Sequence, residues 1–239
     1  MARYIGKLGL VAAAYIVATL ASFGVQVPDV LANPIWPAAG VAYAALRLGG
    51  YALWPGVWVG AFVYSYAVCL SPSGVLPSAL LACGVTLSAV AILYLFRNNP
   101  VTNGGGGLKR LVSFVSAVTT GSFMSPAIGT LTLEAIGTLA YDAWAVTFLF
   151  WWIGDVVGVL VVGSAIVVWG LGHARPLGLK VTFSVPLVAT AIAIGVFNAL
   201  DADAAWVTQD VLIVAQAVAV AVYLACASLA LWRWTIQGA

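Results

Sequence analysis

Charge is scarce in this 239-residue chain, and histidine is nearly absent. Only 7% of residues are Asp, Glu, Lys or Arg, and the one histidine is His173. Water-soluble domains carry about 25% charged residues, so a soluble fold of this size is excluded. A single histidine rules out most His-rich metal and haem sites, and nothing in the sequence calls for a cofactor. Cysteine is sparse too. Cys69, Cys83 and Cys226 lie inside apolar runs, an odd count with no CxxC pair. That argues against a disulfide framework and a zinc site and leaves them as small buried hydrophobes. No lysine falls within a late apolar run, so a retinal Schiff base has no anchor. Nucleophilic catalysis needs a nucleophile beside a positioned base. With one histidine, placed in a loop, an enzyme is not expected.

What the chain does have is apolar side chain, 64% of all residues, with a mean hydropathy of +1.10. A helix needs about 20 apolar residues to cross a bilayer. Eight segments fit: 8–26, 35–50, 51–70, 74–96, 110–134, 144–169, 181–200 and 207–234. The expected fold is therefore an all-α polytopic membrane bundle of about eight helices in a cell membrane, the lipid bilayer its first partner. The second segment is short and opens with prolines, so a broken or partly re-entrant helix is the alternative there. Six spans follow instead if two short ones pair as a hairpin.

Charge placement supports the even count. With a cytoplasmic N-terminus, the inner segments hold Arg3, Lys7, Arg47, Arg97, Lys109, Arg110, Arg175, Lys180 and Arg233, all nine basic residues. The outer loops hold Asp29, Glu134, Asp142, Asp201, Asp203 and Asp210, six of the seven acids. Basic residues favour the cytoplasmic side, so both termini are expected there. Reading the first span as a cleaved secretory signal would break this alternation. The loop "RNNPVTNGGGGLKR" is a flexible linker by composition. A phosphate-binding loop needs Lys and a hydroxyl directly after the last Gly, but Leu108 intervenes and Arg110 stands in place of the hydroxyl. No nucleic-acid partner is expected.

Two proline-aromatic stretches stand out, "NPIWPAAGVAYAALRLGGY" from Asn33 and "WPGVWVGAF" from Trp54. Proline is tolerated at a helix start because its missing N–H had no partner there. Trp36 and Trp54 suit a membrane interface. Gly56 with Gly60, and Gly154 with Gly158, give GxxxG spacings that let helices approach closely. In order, the WPxxG segment, the WPGxxxGA segment and the later "WWIGDVVGVLVV" resemble the MASE1 family of membrane-associated sensor domains. The residues that carry the resemblance are Trp36, Pro37, Gly40, Trp54, Pro55, Gly56, Gly60, Trp152, Gly154, Asp155, Gly158 and Leu160. It implies a sensory membrane module, a type usually joined to histidine kinase or cyclic-di-GMP enzyme domains. This chain ends five residues after Trp234, so the resemblance implies action through a separate partner protein. Two departures are Gly163-Ser164, where the family often has proline, and Arg47, where it is usually apolar.

Asp155 raises the sharpest question. With the sixth span starting near Trp144, it lies about 11 residues in, or about 16 Å at the helical rise. An ionised carboxylate at that depth costs about 3 kcal/mol or more and usually faces the protein interior. Three roles stay open: a hydrogen-bonded link between helices, part of a ligand or cation site, or a proton-relay step. Arg47 is about 12 residues along the second span, or about 18 Å deep if that span enters near Ile35. It could then pair with Asp155, or reach the cytoplasmic headgroups. Glu134 reads as interfacial, Asn198 and Gln216 as interhelical hydrogen-bonders, and His173 as solvated in its loop. The candidate ligand-binding residues are Asp155, Trp152, Trp36 and Arg47. The functions that remain are a sensory module with a small-molecule ligand and a partner, a small-solute transport component with a mid-depth site, and a non-catalytic subunit of a larger complex.

Overall fold

The computed structural model describes residues 1–22, 35–69, 74–99 and 107–171, with a few positions between 177 and 188. All regular structure among them is helical. This is what lipid demands, since a backbone without water must satisfy its own hydrogen bonds. The elements are α1 (Ala2–Leu20), α2 (Pro37–Gly49), α3 (Trp54–Tyr64), α4 (Val75–Asn98), α5 (Gly107–Gly121), α6 (Met124–Ala135), α7 (Trp144–Gly158) and α8 (Ser164–Gly170). A π turn at Ser65–Cys69 continues α3, and another at Val159–Gly163 joins α7 to α8. Among the described residues, four stretches are long and apolar enough to cross a membrane: Ala2–Leu20, Val75–Asn98, Leu108–Ala135 and Tyr141–Gly170. The seventh expected span lies almost wholly outside the described residues. So do the eighth, His173, Asn198 and Gln216.

The described basic residues gather at one end of the bundle. The Tyr4 hydroxyl donates to the Ala52 carbonyl at 2.7 Å. The Arg97 guanidinium lies 5.4 Å from the Tyr51 ring centre, and Lys180 sits 5.1 Å from that of Trp169. Arg47 and Arg97 both lie near the Tyr43 hydroxyl. The Phe96 and Phe114 rings, 5.2 Å apart, bring the start of α5 against the end of α4. Glu134 and Asp142 occupy the opposite end, near the end of α6 and the start of α7.

Small residues set the helix spacing, as the GxxxG patterns suggest. A Cβ on Gly56 would lie 2.8 Å from the Leu8 carbonyl, and one on Gly60 would lie 2.9 Å from that of Ala12. Those glycines let α3 lie directly on α1. Gly158 packs on the Trp36 carbonyl, and Gly40 on the backbone of Gly158 and Gly163. Around these contacts Tyr15, Leu46, Val57, Ile92, Val118 and Val157 form one apolar core.

One expected span, the second, is corrected, toward the broken helix that its prolines allowed, and another, the fifth, is interrupted. The second is a helix of 13 residues, about 20 Å long at 1.5 Å per residue, too short to cross. It does not enter at the outer end. The Trp36 N–H donates to the Gly154 carbonyl at 3.0 Å, which puts the start of α2 beside the middle of α7. From there α2 runs parallel to α7 and α8, until Leu48 packs on Gly170. Two backbone facts make this buried start tolerable. Pro37 brings no N–H that would need a partner, and Trp36 finds an acceptor on the neighbouring helix. At the far end Gly50 adopts φ 87°, a left-handed value suited to glycine, and the chain turns into α3.

The fifth span keeps a membrane-crossing length, Leu108–Ala135, but is divided into α5 and α6 at Ser122 and Phe123. Pro126, near the start of α6, has no N–H for the carbonyl four residues back, and its ring crowds that carbonyl. The Ser125 N–H donates instead to the Ser88 hydroxyl on α4, at 2.8 Å.

Candidate functional site

The start of α2, the α5–α6 break and the π turn after α7 meet at one level of the bundle. Asp155 is at their centre. It is 2% exposed, and its Oδ1 has no hydrogen-bond partner among the described residues. The Ser125 hydroxyl lies beside the carboxyl, yet its oxygen completes no well-formed hydrogen bond. Ser122, fully buried, also has an unpartnered hydroxyl. Ser88, Ser122 and Asp155 line a cavity of about 10 Å³ with Ala39, Ala42 and Val159, room for roughly one water molecule. No Lys, Arg or His pairs with Asp155 among the described residues.

Elsewhere the bundle treats its hydroxyls differently. Thr86, Thr119, Thr130 and Thr132 each donate to the carbonyl four residues back, at 2.7–2.8 Å. This is the usual local resolution for a hydroxyl inside a helix. Ser122 and Ser125, which flank the helix break, form no such bond. Unpartnered buried polar groups cost about 1–3 kcal/mol each, so Asp155 and Ser122 facing one small cavity, with Ser125 beside the carboxyl, mark a candidate site. Ser113 and the Trp144 indole are also unpartnered; like Ser125 and the Trp36 indole, they do not line the cavity.

Of the residues singled out from sequence, Trp36 and Asp155 come together through the Trp36–Gly154 hydrogen bond and the seat of Trp36 on Gly158. The Trp36 ring packs edge-on against Tyr64 at 6.1 Å, and its indole N–H is buried without a partner. Trp152 faces another way. Its indole N–H donates to the Thr119 carbonyl at 2.9 Å, tying α7 to α5 just before the break. Arg47 does not join Asp155. The inferred equality of depth fails because α2 starts mid-bundle, so 11 residues further along Arg47 is about 16 Å nearer the basic end. It stands there with Tyr43 and Arg97.

Ser88, Ser122 and Ser125 were not singled out from sequence. Pro126 was the available signal, since a proline deep inside a predicted span breaks or kinks it and frees nearby polar groups.

Among the described residues, a helical bundle of membrane-crossing length, with interrupted helices and a buried carboxylate at mid-level, defines an integral membrane domain. The MASE1 family model matches residues 8–200, and the chain belongs to that family of membrane-associated sensor domains. The family is a sensory membrane domain rather than a catalytic one. No curated protein and no solved structure matches the chain.

Proposed function

We propose that this chain is the sensory module of a two-part system in the plasma membrane of a prokaryotic cell. In this reading α2 is a half-helix within a bundle of about eight passes whose termini are both cytoplasmic, and the chain acts on a separate partner protein. The supporting observation is α2. One end of this helix is held beside Asp155 by the Trp36–Gly154 hydrogen bond. The other carries Arg47 into the basic end of the bundle. Occupancy of the Asp155 cavity would therefore bear on the seat of a short, rigid helix, whose far end lies at the face where a cytoplasmic partner docks. Asp155, Ser122 and Trp36 form the sensing end, Arg47 belongs to the reporting end, and Trp152 holds the α5–α7 packing.

The test is capture from native membranes with the intact chain, followed by assay of the captured partner. A stoichiometric signalling protein is expected, one that Asp155→Asn retains but locks in one output state. A partner whose output ignores Asp155→Asn would contradict the reading and leave the chain as an assembly subunit.

Helices interrupted at mid-depth also occur in transporters, which favours a small-solute transport component as the second reading. A pocket for a metabolite takes about 300 Å³ or more, far above the 10 Å³ here. Uptake of a labelled metabolite into proteoliposomes, lost in Asp155→Asn, would turn the choice toward transport.

A further inference from the structure

We propose that the arginine pair at the basic end, Arg47 with Arg97, is a binding site for the phosphate of one anionic phospholipid. Arg47 is in the last turn of α2 and Arg97 in that of α4. Both lie near the buried Tyr43 hydroxyl, which is within hydrogen-bonding reach of Arg47. The Arg97 guanidinium also rests over the Tyr51 ring, 5.4 Å from its centre, which ties the end of α4 to the turn that follows α2. The chain has no Asp or Glu from Val30 to Leu133, so α2 to α5 offer no carboxylate to either arginine. The described acids, Glu134, Asp142 and Asp155, lie at the far end and in the middle of the bundle. Two guanidiniums without a carboxylate call for an external anion. Phosphate suits them, because the planar fork of a guanidinium binds its oxygens in pairs.

The surroundings select a lipid over free phosphate. Leu80, Leu87 and Tyr94 recur at seven-residue spacing on α4 and are all exposed, an apolar stripe that ends one turn before Arg97. Leu48, next to Arg47, is exposed as well. In a bilayer such a stripe lies against acyl chains, and the guanidiniums at its end stand at headgroup level. Arg47 is half-buried and Arg97 exposed, so a headgroup can reach the pair. A zwitterionic headgroup brings an ammonium that opposes the arginines, and an anionic one does not. The binding claim stands without the sensory reading; where that reading holds, the lipid sits at the reporting end of α2.

The experiment is native mass spectrometry of the purified full chain in a neutral detergent, titrated with phosphatidylglycerol. One saturable lipid adduct is expected, with phosphatidylcholine binding clearly weaker. A basic residue at a membrane surface is worth about five-fold in affinity, so Arg47→Gln and Arg97→Gln should each weaken the adduct by about that factor. Arg47→Lys keeps the charge and loses only the fork, so it should fall between wild type and Arg47→Gln. Lys7→Gln, a charge loss on α1 at the same end, should leave the adduct unchanged. Arg97 is exposed, so its variant decides the matter if Arg47→Gln fails to fold. Absence of a saturable adduct overturns the proposal. So does equal binding of phosphatidylcholine, or equal weakening by Lys7→Gln. Full displacement of the lipid by millimolar inorganic phosphate would make this a site for free phosphate and also overturn it. A partner protein that Arg47→Gln no longer captures, with no lipid adduct on the wild type, would assign the pair to protein docking instead. The titration contains no partner, so its failure leaves the sensory reading standing, and a partner blind to Asp155→Asn leaves the lipid site standing.

Discussion

Two helices of this protein open on the same letters and lead to different places. Trp36-Pro37 starts α2 in the middle of the bundle, with its backbone bonded to α7. Trp54-Pro55 starts α3 at the basic end, where Trp54 is 49% exposed. The local signal is the same, a proline in the first helical turn. What differs is the surface each helix can reach. Gly56 and Gly60 seat α3 on α1 beside Leu8 and Ala12, a packing between two helices that both begin at the basic end. Gly40 meets Gly158 and Gly163, at and just past the middle of the 144–169 span, and this draws the start of α2 inward. A Trp-Pro motif sets where a helix begins along the chain, while its glycine partners set the depth.

Substitutions that attack one seat or the other test this contrast. The largest effect is expected from Gly158→Val, whose Cβ would run into the Trp36 carbonyl. Backbone cannot give way as a side chain can, so the cost should exceed about 3 kcal/mol, at the top of the range for overpacking. Folded yield on size exclusion should collapse, while Gly60→Val on the other seat should leave measurable folded protein. Next is Trp36→Ala, which removes the edge contact with Tyr64 and opens space above α7. About 2 kcal/mol is expected, less than for a fully buried aromatic, read as a lower midpoint in thermal unfolding. Ser88→Ala takes the acceptor from the Ser125 N–H and should cost about 1 kcal/mol, with faster amide exchange at Ser125. Trp54→Phe should be smallest, within about 0.5 kcal/mol, because the ring lies half-exposed at the end of the bundle. A Trp54→Phe loss as large as that of Trp36→Ala would erase the distinction between the motifs.

Much of the bundle was legible in the sequence. Long apolar runs separated by a few charges read directly as α1, α4 and the 144–169 segment, because lipid leaves the backbone little alternative to helix. Asp155 was legible as a site for the same reason, being a lone carboxylate where charge is costly. Depth was harder to read. Periodicity along one chain says nothing of which glycine meets which carbonyl, so full span and broken helix both stayed open for α2, and Arg47 read as level with Asp155. The serines at the break stayed hidden because a serine in a membrane helix ordinarily bonds its own backbone. At the break before Pro126, Ser122 and Ser125 leave that option unused.

The most direct test of the central claim, a half-helix seated at the level of Asp155, is paired-cysteine crosslinking with Cys69, Cys83 and Cys226 replaced by alanine. Trp36→Cys with Gly154→Cys is compared with Arg47→Cys and Asp155→Cys under mild oxidation, and the linked peptides are identified by mass spectrometry. Disulfides form only when Cα atoms lie within about 7 Å. The structure predicts efficient bridging in the first pair, whose backbones share a hydrogen bond, and none in the second. Bridging between positions 47 and 155, with none between 36 and 154, would contradict it and return α2 to a full span that enters from the outer surface.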